Sequence, residues 1–290
     1  MTSIAASGEI AGAIPLPHAT TPARAGTKGA DSGAGAVSLE KVSVSFANGQ
    51  VLAVADIDLD IKPGEFVSIV GPSGCGKTTL LNFAAGLLPP NVGSGRFLVG
   101  GKAPVAGSRD VAYMLARDAL CPWRTTLANA ELGMEIRGVA KETRRQRAAE
   151  LLQKVGLAGF ENVYPKALSH GMRQRVALAR TFAMDSAILL MDEPFGALDA
   201  QTKLQLEDVL LSLWQRERRT VVFITHDLSE AVAMSDRVVV MSARPGRIIA
   251  DMPIRLARPR SVRALQRDPA FHEIYAKVWT TLEEGFGGHE

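Results

Sequence analysis

The sequence predicts an α/β fold with a mixed or parallel sheet core, an N-terminal antiparallel β subdomain and an inserted helical subdomain. Short apolar runs typical of buried strands alternate with helical segments over the second half of the chain. Two earlier strand patterns flank Asn48-Gly49, a hairpin signal. Between these regions, residues from about 112 to 172 have few β-branched runs and show helical apolar spacing.

The composition is that of an ordinary globular protein. The 290 residues are 47% hydrophobic and 22% charged, and the formal net charge is only +3, so nothing calls for a nucleic-acid partner. Two cysteines in a chain of this length make no disulfide framework, which favours a reducing compartment. The sequence predicts neither a secretory signal nor a membrane span, so we expect any role at a membrane to depend on a partner protein.

Composition predicts three parts along the chain. Residues 1–36 consist mostly of Ala, Gly, Ser, Thr and Pro with no apolar period, which predicts a disordered tail. Residues 37–255 form the predicted main domain. Residues 256–290 are a predicted C-terminal extension, partly helical over 269–284, whose role the sequence leaves open.

The elements of the first half follow from local patterns. Alternating apolar residues predict a strand over 37–46, and a second strand pattern runs through Ile61. Residues 65–70 predict a buried strand. A helix is predicted over 77–88, ended by the prolines that follow.

The second half predicts crossovers typical of a parallel sheet. Its amphipathic helix and alternating strands and helices are predicted at 141–155 (helix), 187–191 (strand), 200–215 (helix), 221–225 (strand), 228–234 (helix) and 237–241 (strand).

Residues 71–78 read Gly-Pro-Ser-Gly-Cys-Gly-Lys-Thr and fit the phosphate-loop pattern G-x-x-x-x-G-K-[ST] at every fixed position. Glycines let backbone N–H groups point at phosphate oxygens, and the following helix directs its positive end at the same anion. Lys77 supplies charge to the β- and γ-phosphates, and Thr78 offers its hydroxyl to Mg²⁺. The preceding strand disfavours a simple Gly-rich turn. The predicted nucleotide-binding residues here are Gly71, Pro72, Ser73, Gly74, Cys75, Gly76, Lys77, Thr78 and Thr79.

Two later strands end in polar residues suited to hydrolysis. Asp192 and Glu193 follow a buried run, at the strand end where open α/β sheets bind ligands. We predict that Asp192 holds Mg²⁺ through water and that Glu193 polarises the attacking water. His226 ends the next strand and could contact the γ-phosphate. The alternatives are solvated turn acids and, for His226, a surface or helix-capping residue.

Residues 168–175, Leu-Ser-His-Gly-Met-Arg-Gln-Arg, closely resemble the signature segment of ABC ATPases. Residues 196–199, Gly-Ala-Leu-Asp, resemble the D-loop of that family, which ends here at Asp199. Together with the phosphate loop, the strand acids and His226, these motifs stand in the family's order. The resemblance covers about residues 37–250.

The resemblance implies an ATPase that works as a head-to-tail pair and uses Mg²⁺. The signature residues Ser169, His170, Gly171 and Met172 would act on the facing subunit's ATP. Phe46 matches the aromatic position that stacks on adenine, although a strand core residue is the alternative. Implied partners are a second ATPase subunit, identical or different, a transmembrane permease and, indirectly, a substrate-binding protein. The implied location is peripheral, on the cytoplasmic face of the cell or inner membrane.

Finer resemblance points to one branch of importers. Residues 119–125, Ala-Leu-Cys-Pro-Trp-Arg-Thr, are similar to the Leu-Leu-Pro-Trp segment of nitrate, sulfonate and taurine importer ATPases, and residues 242–248 are also similar to that group. Uptake of such a small anion is therefore expected. The alternatives are an export or lipoprotein-release ATPase, a partly degenerate member of a heterodimeric pair, a soluble ABC protein of DNA repair or translation, and a P-loop kinase or GTPase.

Two positions depart from the family pattern. Ala116 stands where the family has a Gln that contacts Mg²⁺ and the attacking water, and His170 replaces the first signature glycine. These changes imply slower hydrolysis or altered coupling. Because Glu193 and His226 are both present, the sequence still predicts an active ATPase.

Overall fold

The computed structural model describes residues 33, 35–47, 49–115, 118–196 and 198–286. The predictions for residues 1–32, Asn48, Ala116 and Ala197 lie outside these residues. The end of the predicted tail differs from the expectation, because Gly35 and Ala36 are buried. The Gly35 carbonyl accepts a hydrogen bond from the Thr220 hydroxyl, which ties this segment to the main sheet.

An antiparallel sheet of three strands forms the N-terminal subdomain. Its strands are β1 (Val37–Phe46), β2 (Val51–Ile61) and β4 (Gly93–Val99), in the order β2-β1-β4. The β1–β2 hairpin pairs Phe46 with Val51 at its tight end and Val37 with Ile61 at its open end. This confirms the predicted antiparallel β subdomain.

The main sheet has six strands in the order β5-β6-β7-β3-β8-β9. Neighbouring strands are parallel except β8 and β9, which are antiparallel. Strands β3, β6 and β7 are buried at every residue, as expected for strands covered on both faces. The mixed sheet core is therefore confirmed. The bounds are β3 (Phe66–Val70), β5 (Val111–Met114), β6 (Ile188–Asp192), β7 (Thr220–Ile224), β8 (Arg237–Met241) and β9 (Ile248–Pro253).

Eight α-helices lie in the described part of the chain. They are α1 (Lys77–Ala84), α2 (Thr126–Ile136), α3 (Lys141–Lys154), α4 (His170–Ala183), α5 (Ala200–Glu217), α6 (Leu228–Met234), α7 (Val262–Leu265) and α8 (Pro269–Phe286). None of the described helices is long and apolar enough to cross a bilayer.

Helices α2, α3 and α4 pack against one another and make up the inserted helical region. The sequence placed its start near residue 112, but residues 112–114 belong to β5, which pairs with β6 in the main sheet. Four residues are too few for a clear alternating pattern, so this strand escaped prediction. At the other end, α4 runs on to Ala183.

Helix α1 is shorter than predicted and ends before Gly86 instead of at the prolines. Gly86 has a left-handed φ of 69°. Its N–H donates to Phe83 O (3.0 Å), and the N–H of Leu87 donates to Asn82 O (2.9 Å). These two bonds form the Schellman arrangement, which ends a helix at such a glycine.

Two hydrophobic clusters lie on either side of the main sheet. Alternate residues of β3 divide between them: Phe66 and Val70 face one, and Val67 and Ile69 face the other. Helix α8 contributes Phe271 and Val278 to the first cluster, alongside Trp214 of α5. The C-terminal helix thus packs on the same core as the sheet.

Candidate active site

The phosphate loop connects β3 to α1 and closes against the antiparallel sheet. Gly76, just before α1, has a φ of 104°. A Cβ added there would lie 2.4 Å from Val54 Cγ1 of β2, which is far inside contact distance. Glycine is required at this position by both backbone conformation and space. The loop therefore packs directly against β2.

The Lys77 ammonium lies beneath the loop and holds its shape. Lys77 is 6% exposed, and its Nζ donates to the carbonyls of Gly71 and Pro72 at 2.8 Å each. Cys75 packs beside it, with Sγ 3.8 Å from Nζ, and burial raises the pKa of the Cys75 thiol. The two carbonyls and the Cys75 side chain hold the Lys77 ammonium at the base of the loop.

Thr78 and Asp192 converge although 114 residues separate them. Thr78 Oγ1 donates to Asp192 Oδ1 at 3.2 Å. Asp192 is 8% exposed, and burial raises its pKa. Tyr113 lies beside it, and burial together with the Asp192 charge raises the pKa of the Tyr113 phenol, whose hydroxyl donates to Asn82 Oδ1. Sequence reasoning missed Tyr113 because it stands on the unpredicted strand β5.

Glu193 and His226 form a second polar pair at neighbouring strand ends. His226 Nδ1 lies 3.1 Å from Glu193 Oε2, and both side chains are partly exposed, at 61% and 37%. Glu193 has a left-handed φ of 44°, while its N–H donates to Ile224 O of the adjacent strand at 2.9 Å. Such a conformation costs a non-glycine residue about 1–3 kcal/mol, so the surrounding bonds hold the carboxylate in place.

Lys77, Thr78 and Glu193 line a cleft of about 290 Å³, whereas Asp192 and His226 do not line it and contact Thr78 and Glu193 from outside. Its lining comprises Phe46, Ala53, Ser73, Gly74, Gly76, Lys77, Thr78, Thr79, Glu193 and Arg244. Gly71, Pro72 and Cys75, which the motif also suggested, do not line it and instead support the loop from beneath. Sequence reasoning missed Ala53 and Arg244 because neither stands in a motif of the phosphate loop.

The signature segment lies away from this cleft, at the start of α4. Ser169 caps the helix, accepting a hydrogen bond at Oγ from Met172 N at 3.2 Å. His170 is the first helical residue and has no positive φ, so its backbone suits a side chain. Its Nδ1 lies 3.3 Å from Arg173 Nη2, and Arg173 pairs with Asp118 at 2.9 Å. The replacement of glycine by histidine therefore leaves the helix start intact.

The D-loop and His226 are connected through α5. Asp199 caps that helix by accepting from Thr202 N at 3.0 Å, and these hydrogen bonds lower its pKa. One turn further, Lys203 Nζ contacts Asp227 Oδ2 at 2.6 Å and also pairs with the buried Glu230. Asp227 directly follows His226. The D-loop and the segment around His226 are therefore connected by one network. Its members outside the motifs were not predicted from the sequence.

A glycine-rich loop over a buried lysine and a hydroxyl–carboxylate pair at a strand end define the class of P-loop nucleotide-binding proteins. In the described residues no group of three or more His, Cys, Asp or Glu side chains is placed to hold a metal.

Comparison with known proteins then gives the family. Residues 54–196 match the family described as ABC transporter. A Brucella abortus protein named for ATP binding is 47% identical over 244 residues, covering 82% of this chain and 93% of that protein. The taurine import ATP-binding protein TauB of Yersinia pestis is 41% identical over 240 residues, covering 80% and 93%. The chain belongs to the ATP-binding proteins of ABC transporters.

Solved structures agree with this assignment. The ATP-binding cassette MJ0796, determined as a dimer bound to ADP and phosphate, superposes with a TM-score of 0.66 at 32% identity. The match covers 76% of this chain and all of that one. CbiO1 of Clostridium perfringens shares the fold with a TM-score of 0.67 at 24% identity. The P-loop ATPase fold of the family is thus shown, while the chemical roles of the individual site residues remain predictions.

Proposed function

We propose that this chain hydrolyses ATP at the 290 Å³ cleft to drive a membrane importer for a small anion such as nitrate, a sulfonate or taurine. One observation carries the ATPase part: Lys77, Thr78 and Glu193 line one cleft, and Asp192 and His226 contact Thr78 and Glu193. These are the charge, metal and water-positioning groups that phosphoryl transfer needs.

The phosphates would lie over the loop between β3 and α1. Lys77 now donates to two neutral carbonyls, and a phosphate oxygen offers a stronger, charged acceptor in reach of the same ammonium. The N-terminus of α1 adds a positive dipole end. Together these groups bind the triphosphate and offset its negative charge.

Thr78 and Asp192 fit a Mg²⁺ ion. A hydroxyl and a carboxylate are hard oxygen donors, and burial raises the pKa of the Asp192 carboxyl, so a bound cation would favour its charged form. When bound, Mg²⁺ would neutralise charge on the phosphates. Thr78 would supply its hydroxyl as a ligand, and Asp192 would accept hydrogen bonds from the waters of the ion.

Glu193 would hold the attacking water. Its carboxylate borders the cleft and accepts from His226 when Nδ1 carries the proton. That bond fixes the carboxylate orientation and leaves its second oxygen for a water proton. The same bond holds His226 beside Glu193 at the cleft, where it can contact the γ-phosphate.

A facing copy would complete the site. Ser169 is exposed and caps the 14-residue helix α4, which makes the start of this helix a good phosphate partner. Since the cleft of this subunit does not include the signature residues, they are free to serve ATP bound by a second subunit. The dimeric structure of MJ0796 with ADP and phosphate supports pairing of two such subunits here.

The importer assignment rests on relatives and on one exposed segment. TauB is matched over 93% of its length. Trp123, within the segment that resembles importer ATPases, is 75% exposed, which suits a surface that contacts a permease. The chain would then act at the cytoplasmic face of the membrane, with a permease and, through it, a substrate-binding protein.

Glu193→Gln tests the ATPase mechanism. Gln keeps the size but removes the charge that polarises water, so we expect Mg-ATP to bind with hydrolysis reduced by about 10²-fold or more. Trapped ATP should then convert the monomer into a dimer, measured by light scattering. Glu142→Gln, an exposed change on α3, should behave as the wild type. A Glu193→Gln protein that binds ATP but hydrolyses it at the normal rate would contradict the assignment.

A transport assay tests the importer. The tagged chain should co-purify with a multi-span membrane protein, and this complex can be placed in liposomes. We expect substrate-loaded binding protein to stimulate ATP hydrolysis and anion uptake. Outward movement of substrate, or an ATPase rate indifferent to the binding protein, would contradict import.

A further inference from the structure

The loop between β8 and β9, residues 242–247, joins the two ends of the nucleotide cleft. Gly246 N donates to Ala53 O at 3.0 Å, and Ala55 N donates to Gly246 O at 2.9 Å, so the loop pairs with β2. On its other side Gly246 touches the phosphate loop, where an added Cβ would lie 2.1 Å from Cys75 O. Only glycine allows this close approach. The loop is therefore docked on both sheets, and its backbone is held at the cleft.

Arg244 is the side chain that this loop presents to the cleft. It lines the cleft together with Phe46 and Ala53, and its Nε donates to Leu52 O at 3.3 Å. Among the described residues no carboxylate lies within 4.0 Å of its guanidinium. Arg247 of the same loop differs, because it pairs with Asp56 at 2.9 Å and lies outside the cleft.

The anchoring of Arg244 places it at the Phe46 end of the cleft. Phe46 pairs with Val51 across the β1–β2 hairpin, and Leu52, whose carbonyl holds Arg244, is the next residue of that strand. The phosphate end, by contrast, is formed by Gly74 and Lys77 in the loop after β3. The guanidinium thus lines the end of the cleft where the base of a nucleotide would lie.

We propose that Arg244 is a nucleotide-contacting residue that packs its guanidinium plane against the adenine ring, together with Phe46. This inference rests on the proposed ATP site. A guanidinium is planar and weakly hydrated, and stacks on aromatic faces in a way that an ammonium does not. The contact holds the base, whereas the phosphate loop holds the phosphates. Because ATP and ADP carry the same base, the Arg244 contact contributes equally to the binding of both.

Calorimetric titration of ATP and ADP tests this in a Glu193→Gln background, where hydrolysis is suppressed. We expect Arg244→Ala to lower the affinities for ATP and ADP by a similar factor, about 5- to 30-fold. Arg244→Lys should recover only a small part, since it restores charge but not the planar surface. Arg247→Ala is the matched control and should bind both nucleotides normally. Unfolding midpoints of the variants should agree, which shows that the loop stays folded.

Three results would overturn the inference. Normal binding by Arg244→Ala would mean that the side chain makes no contact. A loss confined to ATP and restored by Lys would mean a phosphate contact through charge alone. A loss of equal size in Arg247→Ala would mean that the loop, and not Arg244, is responsible. If the parent protein bound no ATP at all, the proposed function would fail first.

Discussion

Replacing Lys203 by Met should show how strongly the network between α5 and His226 contributes to stability. Lys203 Nζ contacts Asp227 and Glu230, and the Glu230 side chain is only 3% exposed. Burial opposes the charged form of Lys203, but the two carboxylates outweigh it and raise its pKa. Burial also raises the pKa of Glu230, against the pull of the lysine. Met matches the length of Lys but leaves the buried carboxylate without its cation.

The expected cost follows from burial. Removing one partner of a fully buried ion pair costs about 3–5 kcal/mol. Here Lys203 is 19% exposed, and Glu230 keeps a hydrogen bond from the Thr225 hydroxyl, so we expect roughly 2–3 kcal/mol. For a domain of this size that lowers Tm by roughly 5–10 °C. Adding Glu230→Gln removes the stranded charge and should recover most of the loss.

Urea unfolding of the single and double variants measures these free energies. Lys277→Met provides the control, since Lys277 forms an exposed pair with Glu273 on α8 and should cost less than about 0.5 kcal/mol. The ATPase rate should fall more in Lys203→Met than in this control, because Asp227 directly follows His226. A loss below 1 kcal/mol, or no recovery in the double variant, would refute the reasoning.

Three further predictions concern the cleft and the core. Gly76→Ala should lower the affinity for ATP at least about tenfold in calorimetry. The new Cβ would clash with Val54, and a φ of 104° costs an alanine about 1–3 kcal/mol. An unchanged affinity would contradict the close packing. Thr78→Val should raise the Mg²⁺ concentration for half-maximal ATPase activity about 10- to 100-fold, whereas Thr78→Ser should not; equal Mg²⁺ curves would remove Thr78 from the metal site. Burial raises the pKa of Glu207 to about 8, so the unfolded state releases this proton first and wild-type stability falls as pH rises from about 4.5 to 8. Glu207→Gln should remove that fall and gain a few kcal/mol by pH 8 in urea unfolding; curves that stay parallel from pH 5 to 8.5 would disprove the buried acid.

The phosphate end of the candidate site can be predicted from the sequence because its residues are local in the chain. Gly76, Lys77 and Thr78 stand in one loop, and a strand–loop–helix pattern is enough to orient them. Asp192 and Glu193 could be predicted for a related reason, since the ends of parallel strands meet at one edge of the sheet. Their pairing with Thr78 and His226 in the structure agrees with that expectation.

Other features depend on contacts between distant segments. Arg244 is held at the cleft by a hydrogen bond to the carbonyl of Leu52. The two residues lie 192 positions apart in the sequence, so no local pattern indicates this contact. Tyr113 was missed because β5 has only four residues. Gly35 resembles a tail residue in composition but is held by Thr220, so its burial is decided by tertiary contact.

The double docking of Gly246 affects how tolerant the site is to change. Phe46 and the phosphate loop belong to separate β-sheets, and two main-chain hydrogen bonds together with one glycine contact fix their separation. Substitution of surface side chains leaves this separation unchanged, whereas an insertion or deletion of a single residue between Ser242 and Arg247 would alter it. In the proposed site such a change would shift the base-binding end of the cleft relative to the phosphate loop.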